Sequence, residues 1–183
     1  MAVSGATGFE AGQIDIDLIN LVGAAAYSTA QARTGVRSGR CNPASGASGY
    51  IAIDESQFMH FGLYIASLPS VTRGIAGIPS DSPTPGVNVR LNPDGTLAVY
   101  NGSTLIGTSA QALSTAVWYW IGWKVGDTPS TDTLLQIDGT PVVSGIANLS
   151  QSVSVGCYGT EASAIDLYFD DWVSDDAGFL APS

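Results

Sequence analysis

The chain has 183 residues, enough for one domain that hides roughly 70% of its unfolded surface without help from a disulfide or metal. Only 12% of the residues are charged and 22 are glycine, the profile of a tightly turned β protein with a weakly charged exterior. Six Lys plus Arg against sixteen Asp plus Glu give a net charge of -10, which repels a phosphate backbone, so nucleic acid is excluded as a partner, and no stretch supplies the ~18 apolar residues of a membrane-spanning helix.

In chain order, "MAVSGATGFEAGQIDIDL" lacks a basic segment followed by an apolar one, so no export signal is expected and residues 1–8 read as a short arm. "AAAYSTAQARTG" (24–35) suggests a helix or an irregular connection, and "NPASGASG" (42–49) a loop. Alternation of period two predicts strands at "YIAID" (50–54) and "FMHFGLYI" (58–65). After a proline-rich loop (78–86) comes a predicted meander, "VNVRL" (87–91), "TLAVY" (96–100) and "STLIG" (103–107), joined by the turn formers "NPDG" and "NG". "AQALSTA" (110–116) suggests one helical turn. Further strands are predicted at "WYWIGWKV" (118–125), "TLLQI" (133–137), "PVVS" (141–144), "VSVGCY" (153–158) and "LYFDDWV" (167–173), with "DG" at 138–139 as a hairpin turn and 175–183 as a second arm. Ten strands are more than one sheet usually holds, so the expected fold is all-β: a single-domain, two-sheet antiparallel jelly-roll sandwich over residues 1–183.

The order "GFE", "ARTGVRSGRC", an aromatic strand ending "SLP", "VRLNPDGTLAVYNG", "LSTAVWYWIGWKV", "LLQIDGTPVVSG" and "LYFDDWV" resembles the concanavalin A-like, laminin-G-like jelly-roll domains from about Gly8 to Val173. That superfamily includes glycan-binding modules, glycoside hydrolases, adhesion domains and phage virion proteins, so the resemblance bears on fold more than on function. It implies that residues 58–65 and 118–125 lie in the body of the sandwich. Met59, Phe61, Leu63 and Ile65, with Tyr119, Ile121, Trp123 and Val125, would then face the core. Phe58, His60, Tyr64, Trp118 and Trp120 would face outward, on the kind of surface where glycan-binding relatives hold sugars.

An outward aromatic cluster of this kind marks a binding surface. Sugar stacking would use one or two rings with polar companions, for which Asn88, Arg90, Asn92 and Gln136 are candidates; a protein interface would cover the cluster and exclude charge. Only Lys124 is charged among the outward residues of the two strands, which favours protein packing, so the face is expected to meet a neighbouring subunit or the chain's own terminal segment.

Little else in the sequence points to catalysis. A retaining glycosidase needs two carboxylates about 5 Å apart. Glu10, Glu55 and Glu161 are isolated and no E-x-D-x-x-E run exists, so the chain is expected not to be an enzyme. Asp15 and Asp17 suit a polar edge strand. His60 is the only histidine and follows no G-x-S-x-G elbow, and with two distant cysteines a zinc site is disfavoured. No cofactor is required. Calcium, which prefers hard oxygens, is the one metal considered: in calcium-binding jelly rolls an early glutamate and a late aspartate meet where the first and last strands pair, which here implies Glu10 with Asp170 and Asp171. The alternative is that these carboxylates bind backbone amides. Cys41 and Cys157 are compatible with a long-range disulfide or with two thiols; the lack of an export signal favours thiols. The sequons at Asn101 and Asn148 carry no functional weight, because turns favour Asn for backbone reasons.

The functional expectation is a structural and interaction protein: a phage virion component, a capsid decoration or tail-associated protein assembled in host cytoplasm. Its partners would be other virion proteins or copies of itself, with no membrane contact, and it could also hold cell-surface polysaccharide. The alternative is an extracellular carbohydrate-binding module or lectin.

Overall fold

A computed structural model describes residues 3–7, 19–53, 58–77, 87–124, 133–145, 153–158, 162–175 and 179. Among these described residues there is no helix and there are fifteen strands. They are β1 (Val3–Thr7), β2 (Ile19–Gly23), β3 (Ala25–Ser28), β4 (Ser38–Cys41), β5 (Gly49–Ile53), β6 (Phe58–Ser67), β7 (Arg73–Gly77) and β8 (Val87–Leu91). β9 (Thr96–Asn101), β10 (Thr104–Ala112), β11 (Trp118–Lys124), β12 (Thr133–Ile137), β13 (Thr140–Ser144), β14 (Val153–Tyr158) and β15 (Asp166–Asp175) complete the set. One sheet runs β13-β12-β11-β6-β15-β4-β3, with β1 paired to the C-terminal half of β15; the other runs β10-β9-β8-β7-β14-β5-β2. Every pairing is antiparallel.

Period-two alternation explains why these two sheets stack. Met59, Phe61, Leu63 and Ile65 of β6 and Ile121 and Trp123 of β11 have no exposed surface and form one core with Ile75, Val89, Leu91, Leu97 and Val99 of the opposing sheet. Tyr119 packs at the edge of that core, where its hydroxyl accepts from the Ser114 N–H; Val125 lies outside the described residues. The fold is therefore the all-β, two-sheet jelly-roll sandwich that the alternation predicts. Its hairpin chemistry is also as read: Asp138 and Gly139 both take positive φ, 50° and 77°, between β12 and β13.

Both helical expectations fail. Residues 25–28 form a strand whose register pairs Ala25 with Cys41 and Tyr27 with Gly39, followed by bends. Alanine favours helix by only a few tenths of a kcal/mol per residue, and a sheet edge that also packs Tyr27 against the core outweighs that. Residues 110–112 continue β10, where Ala112 pairs with Thr96. Only then does the chain turn, at Ala116 (φ 62°), whose N–H donates to the Ile65 carbonyl. Residues 3–7 are a sheet strand, Asp175 closes β15, and Phe179 packs on the aromatic face described below. The 42–48 connection contains no strand, as expected, and 78–86 lies outside the described residues.

β15 positions the site through a break in its alternation. Leu167 and Phe169 point into the core while Tyr168 and Asp170 lie on the outer side. Asp171, at φ 49°, is the extra residue of a bulge between Asp170 and Val173, so Trp172 returns to the core and stacks on Phe61 with centroids 6.1 Å apart. Without that bulge Asp171 would occupy the buried position and Trp172 would face out.

Candidate functional site on the outer face of the eight-stranded sheet

The register of β11 on β6 sets Trp118 opposite Tyr64, Trp120 opposite Gly62, and Gly122 opposite His60. β15 lies on the other side of β6 and sets Tyr168 opposite Tyr64 and Asp170 opposite Gly62. The two glycines are what make this surface a built site. A Cβ at Gly62 would come within 2.8 Å of Arg33 Cδ and 3.4 Å of Trp118 Cε3; one at Gly122 would come within 3.0 Å of the Phe179 ring and 3.1 Å of His60 Cδ2. Two side chains from distant parts of the sequence thus lie down over the sheet where β6 and β11 lack side chains.

The outward cluster is consequently divided in two. At one end, Phe179 meets Phe58 edge-on at 5.0 Å and His60 at 5.7 Å, and His60 stacks on Trp120 with the rings 8° from parallel. Arg33 covers Trp120 with its guanidinium 5.0 Å from the ring centroid. His60 and Trp120 are therefore buried, at 0% and 4% exposure, and what covers them is the chain itself, Phe179 of the C-terminal segment on His60 and Arg33 on Trp120. The Trp120 indole N–H has no hydrogen-bond acceptor among the described residues. At the other end, Trp118 and Tyr64 stay half-buried, with centroids 5.4 Å apart, and Tyr64 meets Tyr168 edge-on at 5.7 Å. Lys124 sits over Phe58 at 5.6 Å.

Charged groups frame the half-open end. Arg40 Nε and Nη2 donate to the two carboxylate oxygens of Asp166, at 2.9 and 2.7 Å, while its guanidinium lies 5.4 Å from the Tyr168 ring centroid. This bidentate pair holds the guanidinium more firmly charged than an ordinary arginine, chiefly through the Asp166 hydrogen bond. Burial raises the Tyr168 hydroxyl above its usual range, and the neighbouring Asp166 charge adds to this. Arg33 Nη1 pairs with Asp171 at 2.7 Å, and the Thr34 hydroxyl also donates to Asp171. Asp170, fully buried, accepts from the backbone N–H groups of Arg33 (2.8 Å), Thr34 (3.2 Å) and Asp171 (2.9 Å). Burial raises its carboxyl above the usual range, partly offset by those three amides. The bulge of β15 is thus the anchor that folds the 33–36 bend, and Arg33 with it, over the sheet.

This arrangement bears on the calcium expectation. Asp170 and Asp171 spend their oxygens on backbone amides, a guanidinium and a hydroxyl, and Glu10 lies outside the described residues. Among the described residues no group of three His, Cys, Asp or Glu could hold a metal ion, so the described donors do not fit calcium. Glu55, Glu161, Asp15, Asp17 and Asn148 also lie outside them.

Asn88, Arg90 and Asn92 belong elsewhere. They sit on or beside β8, in the seven-stranded sheet, whose outer surface faces away from the aromatic cluster, so they are not its polar companions. On that far surface Arg90 lies 4.2 Å from the Tyr100 ring centroid and donates from Nε to Asn88 Oδ1 at 2.9 Å. Asn92 bonds to Thr72 and Thr96 in the turn before β9. Gln136, opposite Gly122, does share the aromatic face. The polar groups that sequence spacing missed, Arg33, Arg40 and Asp166, join Asp170 and Asp171, singled out above only as calcium candidates, through the β4-β15-β6 pairing.

No family model matches this sequence, and a search of curated proteins finds no relative. Solved structures do match in fold. An endo-β-1,4-glucuronan lyase from the fungus Trichoderma reesei superposes with TM-score 0.65 and 12% identity over 94% of each chain. The cellulose-induced protein Cip1 superposes with TM-score 0.70 and 13% identity over 98% of this chain and 100% of its own. Botulinum neurotoxin type C, which interacts with two ganglioside molecules, gives TM-score 0.55 and 10% identity over 85% of this chain and 42% of its own. At these identities the likeness establishes a shared β-sandwich fold.

Proposed function

We propose that this protein binds carbohydrate, without cleaving it, at the half-open end of the eight-stranded sheet. The observation that carries the reading is the pairing of two half-buried rings, Trp118 and Tyr64, beside the Arg40–Asp166 pair and Tyr168. A sugar ring offers an apolar C–H face to an aromatic surface and hydroxyls to its rim. Trp118 and Tyr64 supply the first, and the Arg40 and Asp166 side chains, 37% and 20% exposed, supply donors and acceptors for the second. Fold neighbours that act on glucuronan or interact with gangliosides support the same reading.

The aromatic face loses the feature that favoured protein packing. It is not free of charge: Arg33, Arg40, Asp166, Asp170 and Asp171 all contribute to it, and its most apolar part is already covered by Phe179 and Arg33. The virion expectation is therefore left with composition, the missing export signal and the resemblance, and with no support from this face. Binding without catalysis is favoured because each described carboxylate on this face already has a cation or backbone amides as its partner. Trp118→Ala tests the reading: the protein should remain folded and lose retention on immobilised polysaccharides or its signal on a glycan array. Unchanged retention in a folded variant would refute it.

A further inference from the structure

We propose that Cys41 and Cys157 form a disulfide that joins the two sheets at the end of the sandwich where the chain crosses between them. Stacked sheets lie about 10 Å apart, whereas a disulfide joins Cα atoms no more than about 6.8 Å apart, so the middle of a sandwich seldom admits one. These cysteines are not in the middle. Cys41 is the last residue of β4, just before the 42–48 connection passes to the other sheet, and Cys157 is the penultimate residue of β14, just before the chain returns.

The sheets converge at this end. β2 passes to β3 through the single residue Ala24, whose N–H donates to the Ser48 carbonyl and whose carbonyl accepts from the Asn42 N–H. The buried Arg73 guanidinium donates to the carbonyls of Ala47 and Ser163, tying together the connections that follow both cysteines.

The Cys41 sulfur lies against the β14 backbone beside Cys157. Cys41 Sγ accepts from the backbone N–H of Cys157, and a Cβ at Gly156 would lie only 2.7 Å from that sulfur, so the missing side chain is what admits it. Both thiols are wholly buried. Burial and the neighbouring Cys157 push the Cys41 thiol well above its usual range, so little thiolate exists in the folded protein and oxidation belongs to the folding chain.

The chemistry is thiol–disulfide exchange with a small or protein disulfide, such as glutathione disulfide, as oxidant. One cysteine thiolate attacks that disulfide, forming a mixed disulfide and expelling one thiolate. The second cysteine thiolate attacks the first cysteine's sulfur and expels the other. Two protein thiols thereby lose two electrons and two protons, and the oxidant becomes two thiols.

The test is to denature and reduce the whole chain, refold it in a glutathione/glutathione disulfide buffer, unfold it in an alkylating agent and weigh it. Protein secreted by cells through an oxidising compartment provides a second, independently folded sample. The expected result in either is a mass lower by two hydrogens, no alkylation, and a non-reducing digest in which the peptides of Cys41 and Cys157 travel together. Two alkylated thiols, or one glutathione on each cysteine, in chains with a native circular dichroism spectrum would overturn the proposal.

Discussion

The outer faces of the two sheets are built on opposite plans. On the seven-stranded sheet, Arg90, Tyr100 and Asn88 contact neighbours within one hairpin: Arg90 stacks on the residue diagonal to it and Asn88 reaches the Gly102 carbonyl in the next turn. On the eight-stranded sheet, both ion pairs among the described residues span more than a hundred residues of sequence, from Arg33 to Asp171 and from Arg40 to Asp166. Local contacts decorate a sheet that would form without them. Long-range contacts hold segments over a sheet and give it relief, with a covered end at Phe179 and a half-open end at Trp118. Relief of that kind is what a ligand site requires, which is why the proposed carbohydrate site is placed on this face.

The comparison breaks most readily at Asp170. Asp170→Ala leaves three backbone N–H groups without their acceptor and should cost about 2 to 4 kcal/mol in chemical denaturation, with Arg33 released from Trp120. A loss near zero would mean that the bulge does not anchor the bend. Gly62→Val should cost about 1 to 3 kcal/mol, because the new side chain must displace Arg33 or Trp118, while Thr108→Val, at an exposed position of the seven-stranded sheet, should be milder. Equal costs would erase the distinction between the faces.

Acid sharpens the same contrast. The Asp170 carboxyl is raised by burial, so the folded chain holds that proton more tightly than the unfolded one does. This group's contribution to stability is present at low pH and is lost as pH rises through its raised pKa. Asp170→Asn removes the titration. Measured against the wild type, the variant should therefore fare better near pH 7 than near pH 4, by urea melts at both. The opposite order would mean that the amides outweigh burial. The smallest effect belongs to the bare face: Tyr100→Ala, which removes a half-exposed ring held by one arginine, should cost under about 1 kcal/mol in the same assay.

Strands that alternate large and small or apolar and polar residues were legible in the sequence, as in "FMHFGLYI", "VNVRL" and "WYWIGWKV", and so was the sandwich they imply. β1 and β2 were not predicted, and β3, β4 and β7 were not legible. Their sequences, "AAYS", "SGRC" and "RGIAG", are rich in glycine and other small residues, and β7 is buried along its whole length, so no period-two signal survives. Within the site, the pairing of Trp118 with Tyr64 could be read from the two aromatic strands. Arg33, Arg40, Asp166 and Phe179 could not, since nothing local links them to those strands. One signal was available and missed: in "LYFDDW" the alternation slips by one residue at the second aspartate, which marks the bulge that carries Asp170 and Asp171.

The proposed function assigns carbohydrate to one face and not to the other. Affinity electrophoresis in gels containing a panel of neutral and acidic polysaccharides, run with wild type, Trp118→Ala and Tyr100→Ala, tests it most directly. The expected result is a retarded wild type, an unretarded but folded Trp118→Ala, and a Tyr100→Ala that behaves as wild type. Retardation lost in Tyr100→Ala and kept in Trp118→Ala would contradict it, as would a wild type that no polysaccharide retards.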